Sequence, residues 1–398
     1  MAKNKLLNKY KPKYYICYVM VLLMLAFAML LQSMGKLPTS MANIFVQIAY
    51  SIILAVSLNL VVGFLGELSL GHAGFMCIGA YLGSFVAIQL SEKIGSKLLV
   101  LIISMLVGGA AAALFGFFVG LPALRLKGDY LAIVTLAFGE IVRTICKNLS
   151  VFGGAMGLTT KAIKYDTRKE TSLYIVALLT ALAVLFLIQN LIRSKHGRAI
   201  TAIRDNEIAA KAMGINVTFY KLFVFVLAAF FAGMAGVIYG HYTTPILYSV
   251  FSYNYSIEIL VMVVLGGMAS VNGSIVAATL ITVINFLLQK NLSGDAAALK
   301  NLIYALILIL MILFNNAPMF ANLKNRIAPS AIMRRMREKK AHPGDITDDG
   351  ADWRVIPTKI KMDEILSTDL QPNAAFEPDK PGKTRSEKKN ETGGKTDE

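Results

Sequence analysis

Few side chains in this sequence could do chemistry, and their spacing narrows what that chemistry is. The stretch Gly66-Glu67-Leu68-Ser69-Leu70-Gly71-His72 places a carboxylate and an imidazole close together in an otherwise glycine-rich, aliphatic run. Ionisable groups at membrane depth are costly unless they face a cavity or a partner. Glu67, Ser69 and His72, with the helix-breaking Gly66 and Gly71, are therefore candidates for a solute pathway. Helix packing alone, with Glu67 at a membrane surface, is the competing reading. A short echo, Gly267-x-x-Ser270, follows a second Val/Leu-rich run, and transporters often place their sites between such repeats. Glu140 and Arg143 stand three apart, on one helix face, as an intramembrane ion pair or as part of a polar pathway.

Other chemistries find no support. Cys17, Cys77 and Cys146 all lie inside apolar stretches, no C-x-x-C occurs, and the four histidines are scattered. That pattern supports neither a zinc site nor a disulfide framework. No nucleophile–base constellation is legible, so catalytic residues are expected to be absent and the chain is not expected to be an enzyme. Pro381-Gly382-Lys383-Thr384 looks like the end of a phosphate loop, but Glu377 stands where such a loop needs glycine. No nucleotide, metal or other cofactor is expected to bind this chain.

The most informative polar segment is Arg204-Asp205-Asn206-Glu207-Ile208-Ala209-Ala210, continuing to Met213-Gly214. Apolar Ile200, Ile203, Ile208 and Met213 recur along it. Asp205 or Asn206 can cap a short Ala-rich helix, and Gly214 can end it in a left-handed conformation. A helix held rigidly between two spans is what a motor subunit could push against; one lying on the lipid surface is the alternative.

The elements that must position these residues are membrane spans. The chain has 398 residues, 56% hydrophobic and 16% charged, whereas a soluble domain carries about 25% charge. A spanning helix needs about 20 apolar residues. Candidates fall at 14–34, 44–64, 70–90, 98–119, 129–147, 173–192, 219–240, 256–269, 273–289 and 301–316. The expected fold is an all-α polytopic bundle of about ten helices, with breaks or re-entrant turns near 66–74 and 266–274. Small residues every four positions, as at Ala112, Gly116 and Gly120 or Ala229 and Gly233, read as packing stripes.

Charge orients the bundle. With the N-terminus inside, the inner segments hold 20 Lys and Arg and the outer ones 10, which favours both termini in the cytoplasm. The net charge of +16 sits beside membrane-length apolar runs, so nucleic-acid binding is not expected. The expected organisation is a basic N-terminus at 1–13, a permease-like domain at 14–320 with a structured cytoplasmic loop at 193–218, and a tail at 321–398. The apolar stretch after the basic N-terminus is too long for a signal peptide and reads as a retained first helix. From Arg326 the tail holds 15 basic and 14 acidic residues with few apolar ones, so it is expected to be a largely disordered cytoplasmic extension.

Several ordered blocks resemble one family. They are Gly197-Arg198-Ala199 through Arg204-Asp205-Asn206-Glu207-Ile208-Ala209-Ala210 to Met213-Gly214-Ile215-Asn216-Val217; Ser69-Leu70-Gly71-His72-Ala73-Gly74-Phe75; Gly128-Asp129-Tyr130-Leu131 with Glu140-Ile141-Val142-Arg143; and Val264-Leu265-Gly266-Gly267-Met268-Ala269-Ser270. Gly153-Gly154-Ala155-Met156-Gly157-Leu158 matches a GGxxGL block in an outer loop. Over roughly 40–320 the sequence is similar to the LivM-type permeases of branched-chain amino-acid ABC importers, and the loop is similar to a diverged coupling loop of that class. The resemblance implies a bacterial cytoplasmic-membrane protein paired with a second homologous permease. It also implies two cytoplasmic ATPases, which hydrolyse the ATP, and an external solute-binding protein. Arg204, Asp205, Asn206, Glu207, Ala209, Ala210 and Gly214 would dock in the ATPase, and Gly153, Gly154 and Gly157 would help receive the binding protein. Urea, short amides or sugars are alternative solutes within the architecture, and a stand-alone ion-coupled carrier is the alternative of a different class. The tail matches no part of the family pattern.

Overall fold

The computed structural model describes residues 16–33, 39–126, 128–163 and 173–291, with Leu306 and Ile309. The chain divides into Met1–Phe320 and Ala321–Glu398. The second unit lies outside the described residues, as do the N-terminus 1–13 and nearly all of the tenth expected span.

Every long element among the described residues is a helix. In chain order they are α1 Ile16–Ser33, α2 Thr39–Asn59, α3 His72–Ser91, α4 Lys97–Ala123, α5 Asp129–Asn148, α6 Leu173–Arg193, α7 Lys195–Asp205, α8 Glu207–Ala212, α9 Val217–Tyr242, α10 Tyr253–Gly266 and α11 Val271–Asn291. A single antiparallel bridge, Leu158 to Ile246, is the β-type pairing among them. Six of the helices are long and apolar enough to cross a membrane, and the chain is a multi-pass membrane protein. Helix α5 is not among the six despite its 20 residues, because Asp129, Glu140, Arg143 and Lys147 lower its hydropathy.

Helix α2 is the buried axis. From Ile52 to Leu60 no residue is more than 1% exposed, which is what a helix apolar all round requires. It packs on α6, α9, α10 and α11. Helices α3, α4 and α9 meet through the small-residue stripes. A Cβ on Gly79 would overlap the backbone of Gly233, one on Gly233 would meet Ala112 at 2.6 Å, and one on Gly116 would meet Ala229 at 2.7 Å. Such contacts let backbones touch, which is how helices associate where lipid supplies no hydrophobic drive. At Gly79–Gly83 helix α3 widens into a π-helical turn against α9.

Two chain breaks interrupt this packing. Helix α2 continues as a π-helical stretch, Leu60–Leu65, and stops at Gly66, whose φ of +83° is open to glycine. Residues 66–71 are irregular, and α3 begins beside Ser57, whose Oγ lies 2.8 Å from His72 Nε2. Helix α3 thus starts about 12 Å inside the end of its predecessor, at 1.5 Å per residue. The second break follows α10, where Gly267 and Ala269 both have positive φ. Helix α10 has 14 residues, shorter than a full crossing.

Asn59 joins the two breaks. Its Oδ1 accepts a hydrogen bond from Ala269 N at 3.0 Å, and its Nδ2 donates to Ser274 Oγ at 2.9 Å. The distant echo between Gly66-x-x-Ser69 and Gly267-x-x-Ser270 is therefore also a physical neighbourhood. Asn59→Leu leaves the Ala269 N–H and the Ser274 hydroxyl without these partners. The expected loss of stability is about 1–3 kcal/mol, read by thermal unfolding of the detergent-solubilised chain. An effect no larger than that of Ser33→Ala, at an exposed hydroxyl, would remove the clasp from the account.

Candidate functional site

Between α6 and α9 the chain is fixed by three side-chain caps. Ser194 Oγ accepts from His196 N and Gly197 N at the start of α7. Asn206, in an extended conformation, ends α7 and caps α8 through Ala209 N at 3.0 Å. Asn216 caps α9 through Phe219 N at 3.1 Å. Gly214, at φ +82°, turns the chain out of α8. Each cap contributes about 1 kcal/mol, so this segment holds its shape locally.

The four apolar residues named along the segment divide into two pairs. Ile200 and Ile203 on α7 are 1% and 4% exposed and join the core. Ile208 and Met213, on and just after α8, are 81% and 83% exposed. One helix of the pair is bound to the bundle, and the other presents apolar side chains outward.

Two cationic groups tie the segment to the first chain break. Arg204 Nη1 donates to the carbonyl oxygen of Gly63 at 3.1 Å, while its Nε and Nη2 hold Asp205 Oδ1 at 3.1 and 2.9 Å. Gly66 makes room for it: a Cβ there would stand 2.7 Å from Arg204 Cγ. Lys221, in the second turn of α9, has a side chain only 5% exposed. Its Nζ lies 2.5 Å from Glu67 Oε1 and 3.0 Å from Glu207 Oε2. One ammonium therefore joins the irregular segment after α2, the first residue of α8 and the base of α9. A cavity of about 330 Å³ opens beside it, lined by Arg125, Glu207, Val217 and Lys221 among others.

The residues expected to line a pathway are placed in two groups. Gly66 and Glu67 belong to the Arg204 and Lys221 contacts just described. Ser69, Gly71 and His72 run deeper: Gly71 packs against Thr135, Leu70 N donates to Thr135 Oγ1, and His72 is held by Ser57. Ser69 is 1% exposed, and its hydroxyl has no hydrogen-bond partner. Gly267 and Ser270 lie in the second break, where Ser270 Oγ caps α11 through Gly273 N at 3.2 Å. Glu140 and Arg143 pair at 2.6 Å, and the second oxygen of Glu140 accepts from Tyr253 N, capping α10. Gly153, Gly154 and Gly157 all have positive φ in the turn that precedes the Leu158–Ile246 bridge.

Two groupings escaped the sequence reading. Lys221 stands inside an apolar span, and its charge at that depth was the available signal. Glu258 on α10 accepts from Asn285 Nδ2 at 2.5 Å, a pairing that only the α10–α11 contact creates. No group of three or more metal-ligating side chains occurs among the described residues.

Comparison with known proteins gives this geometry a context. The sequence profile described as branched-chain amino acid transport system / permease component matches residues 40–313. The chain is 37% identical over 260 residues to the high-affinity branched-chain amino acid transport system permease protein LivM of Salmonella typhimurium, covering 58% of this chain and 60% of that one. The Escherichia coli protein of the same name matches to the same extent. A probable LivM of Methanocaldococcus jannaschii is 27% identical over 268 residues, 60% of this chain and 78% of the relative. The chain thus spans about three fifths of the length of the first two relatives. No solved structure matches it.

Removing the shared cation should be far worse than removing its outer partner. Lys221→Met leaves Glu67 buried and unpaired and is expected to cost about 3 kcal/mol. Glu207→Gln loses only a half-exposed contact, worth under about 1 kcal/mol. Thermal unfolding of the full chain in detergent measures both, and equal effects would mean that the bridge does not organise this face.

Proposed function

The chain belongs to the family of branched-chain amino acid transport permease components, and we propose that it is one permease subunit of an ATP-driven importer. Its solutes would be branched-chain, hydrophobic amino acids handed over by an external binding protein. A second homologous permease completes the pathway, and two cytoplasmic ATPases supply the energy. The setting is the bacterial cytoplasmic membrane, with about ten spans and both termini inside. This chain supplies the conduit and the coupling element, while nucleotide chemistry belongs to its partners.

The observation that carries this reading is the division of apolar side chains along 195–213. Ile200 and Ile203 anchor the segment to the bundle, and Ile208 and Met213 stand more than four fifths exposed. Outward-facing apolar side chains on a rigidly capped helix suit a protein groove as their destination. Arg204 and Lys221 link that groove to the membrane part, because movement of α7 and α8 acts on Gly63 through Arg204 and on Glu67 through the Glu207–Lys221 contact. The outer turn at Gly153, Gly154 and Gly157 is the proposed contact for the binding protein.

An ion-coupled carrier fits less well. It would need Glu67, His72 or Glu140 to take up and release an ion, and these are engaged by Lys221, Ser57 and Arg143. Among solutes, the 37% identity to two LivM proteins outweighs the 25% identity to the D-allose transport system permease protein AlsC of Escherichia coli.

Reconstitution tests the proposal. Proteoliposomes holding this chain alone should not accumulate leucine, and adding the second permease, the ATPases, the binding protein and ATP should start uptake. In the complete system Glu207→Lys or Gly214→Trp should lower uptake about tenfold or more, the cost of one lost anchor of about 1.4 kcal/mol, with membrane insertion intact. Normal coupled uptake in both variants would remove the coupling role from 204–214.

A further inference from the structure

Helix α5 carries charge at a depth where lipid cannot cover it. Glu140 is the twelfth of its 20 residues, about 16 Å along the helix and near the middle of a hydrocarbon core of about 30 Å. Packing gives the same depth independently. Helix α3 starts beside Ser57, inside the bundle, and a Cβ on its Gly74 would stand 2.7 Å from the Cα of Gly139, the residue before Glu140. Arg143 lies one turn further along. The two side chains pair with each other, yet Arg143 is still 29% exposed and Glu140 27%. Arg143 and Lys147 also lie over the ring of Tyr248, at 5.9 and 5.4 Å from its centroid, which extends the polar flank toward the C-terminal end of the helix. The pair already satisfies itself and calls for no further ligand. What it requires is cover other than acyl chains, since an ion pair open to hydrocarbon is costly.

The exposed side of α5 has the pattern of a helix seam. Tyr130, Val134, Ala137, Ile141 and Thr144 are all exposed and follow one another at alternating steps of four and three residues. That spacing lets one helix lie along another at a shallow crossing of about 20°, and the small Ala137 at its centre permits close approach. Helix α4 shows the contrast. It has no ionisable residue from Leu98 to Ala123, and Leu99, Ile102, Leu106 and Phe118 are exposed along it, as a lipid-facing helix requires. We propose that the exposed face of α5, with the Glu140–Arg143 pair on its flank, is the surface on which the second homologous permease packs. The inference rests on the reading of this chain as one of two permeases in an importer. Among the partners of that reading, the second permease is the one that reaches membrane depth. Its contact helix would carry small or apolar residues along the seam and a polar group level with Glu140.

Photo-crosslinking in membranes tests the surface, with the full chain co-expressed with the homologous permease and the ATPases. A benzoylphenylalanine probe at position 137 or 141 should link this chain to the second permease, and the same probe at position 106 on α4 should not. Ala137→Trp should cut co-purification of the second permease about tenfold, with the thermal unfolding of the chain by itself unchanged. Leu106→Trp should change neither. The probe at position 141 gives an independent reading should Ala137→Trp fail to insert. Links to the second permease from position 106 and from neither α5 position would overturn the assignment while leaving the importer reading intact. So would links from α5 to a second copy of this chain, or to lipid alone, with the second permease still co-purifying. If no second permease co-purifies with the unaltered chain, the importer reading falls and the surface falls with it.

Discussion

Lys221 sets the terms for the rest of this molecule. An ammonium almost sealed into the base of a spanning helix costs several kcal/mol unless carboxylates meet it with good geometry. Glu67 and Glu207 do so, and each brings a different part of the chain to the same point. Glu67 ends the path of the second span, and Glu207 begins the exposed helix. The two contacts are unequal. Glu67 is 13% exposed and Glu207 39%, so the inner pair is held in a lower dielectric and the outer one is more screened by water.

The same region explains why the chain tolerates so many helix-breaking residues. Glycine costs a regular helix about 0.5–1 kcal/mol, and a broken helix exposes backbone groups that a lipid core cannot satisfy. Here side chains of the packed helices satisfy the breaks. Asn59 accepts from Ala269 N, Thr135 accepts from Leu70 N, and Ser256 Oγ accepts from Ala73 N. Irregular backbone survives at membrane depth because buried side chains from other helices supply its missing partners. The result is a junction of two interrupted spans beside the Lys221 bridge.

Much of this was legible beforehand, and the reasons are local. Runs of apolar residues mark the spans because their length is tied to bilayer thickness. Small residues four apart became the α3–α4–α9 contacts, since that spacing places them on one helix face. Asn206 and Gly214 act as the cap and stop that their types favour. Glu140 and Arg143 meet because i and i+3 are neighbours on any helix. The eighth span shows the limit. Its apolar run reads as 256–269, yet α10 covers Tyr253–Gly266, because its start is set by the Glu140 carboxylate on Tyr253 N and its end by the turn at Gly267.

By itself the sequence determined what depends on near neighbours: helical spans, their caps and stops, the amphipathic loop, and the absence of a nucleotide-binding motif. The tertiary structure alone decided which distant groups would meet. Lys221 finds Glu207 14 residues away and Glu67 in the irregular segment after the second span, and Asn59 reaches Ala269 across 210 residues. No periodicity carries those pairings, since they exist only after the helices have packed. It also separated Ile200 and Ile203 from Ile208 and Met213, four residues alike in composition. Ile200 and Ile203 lie against the bundle; Ile208 and Met213 lie beyond its reach, facing outward.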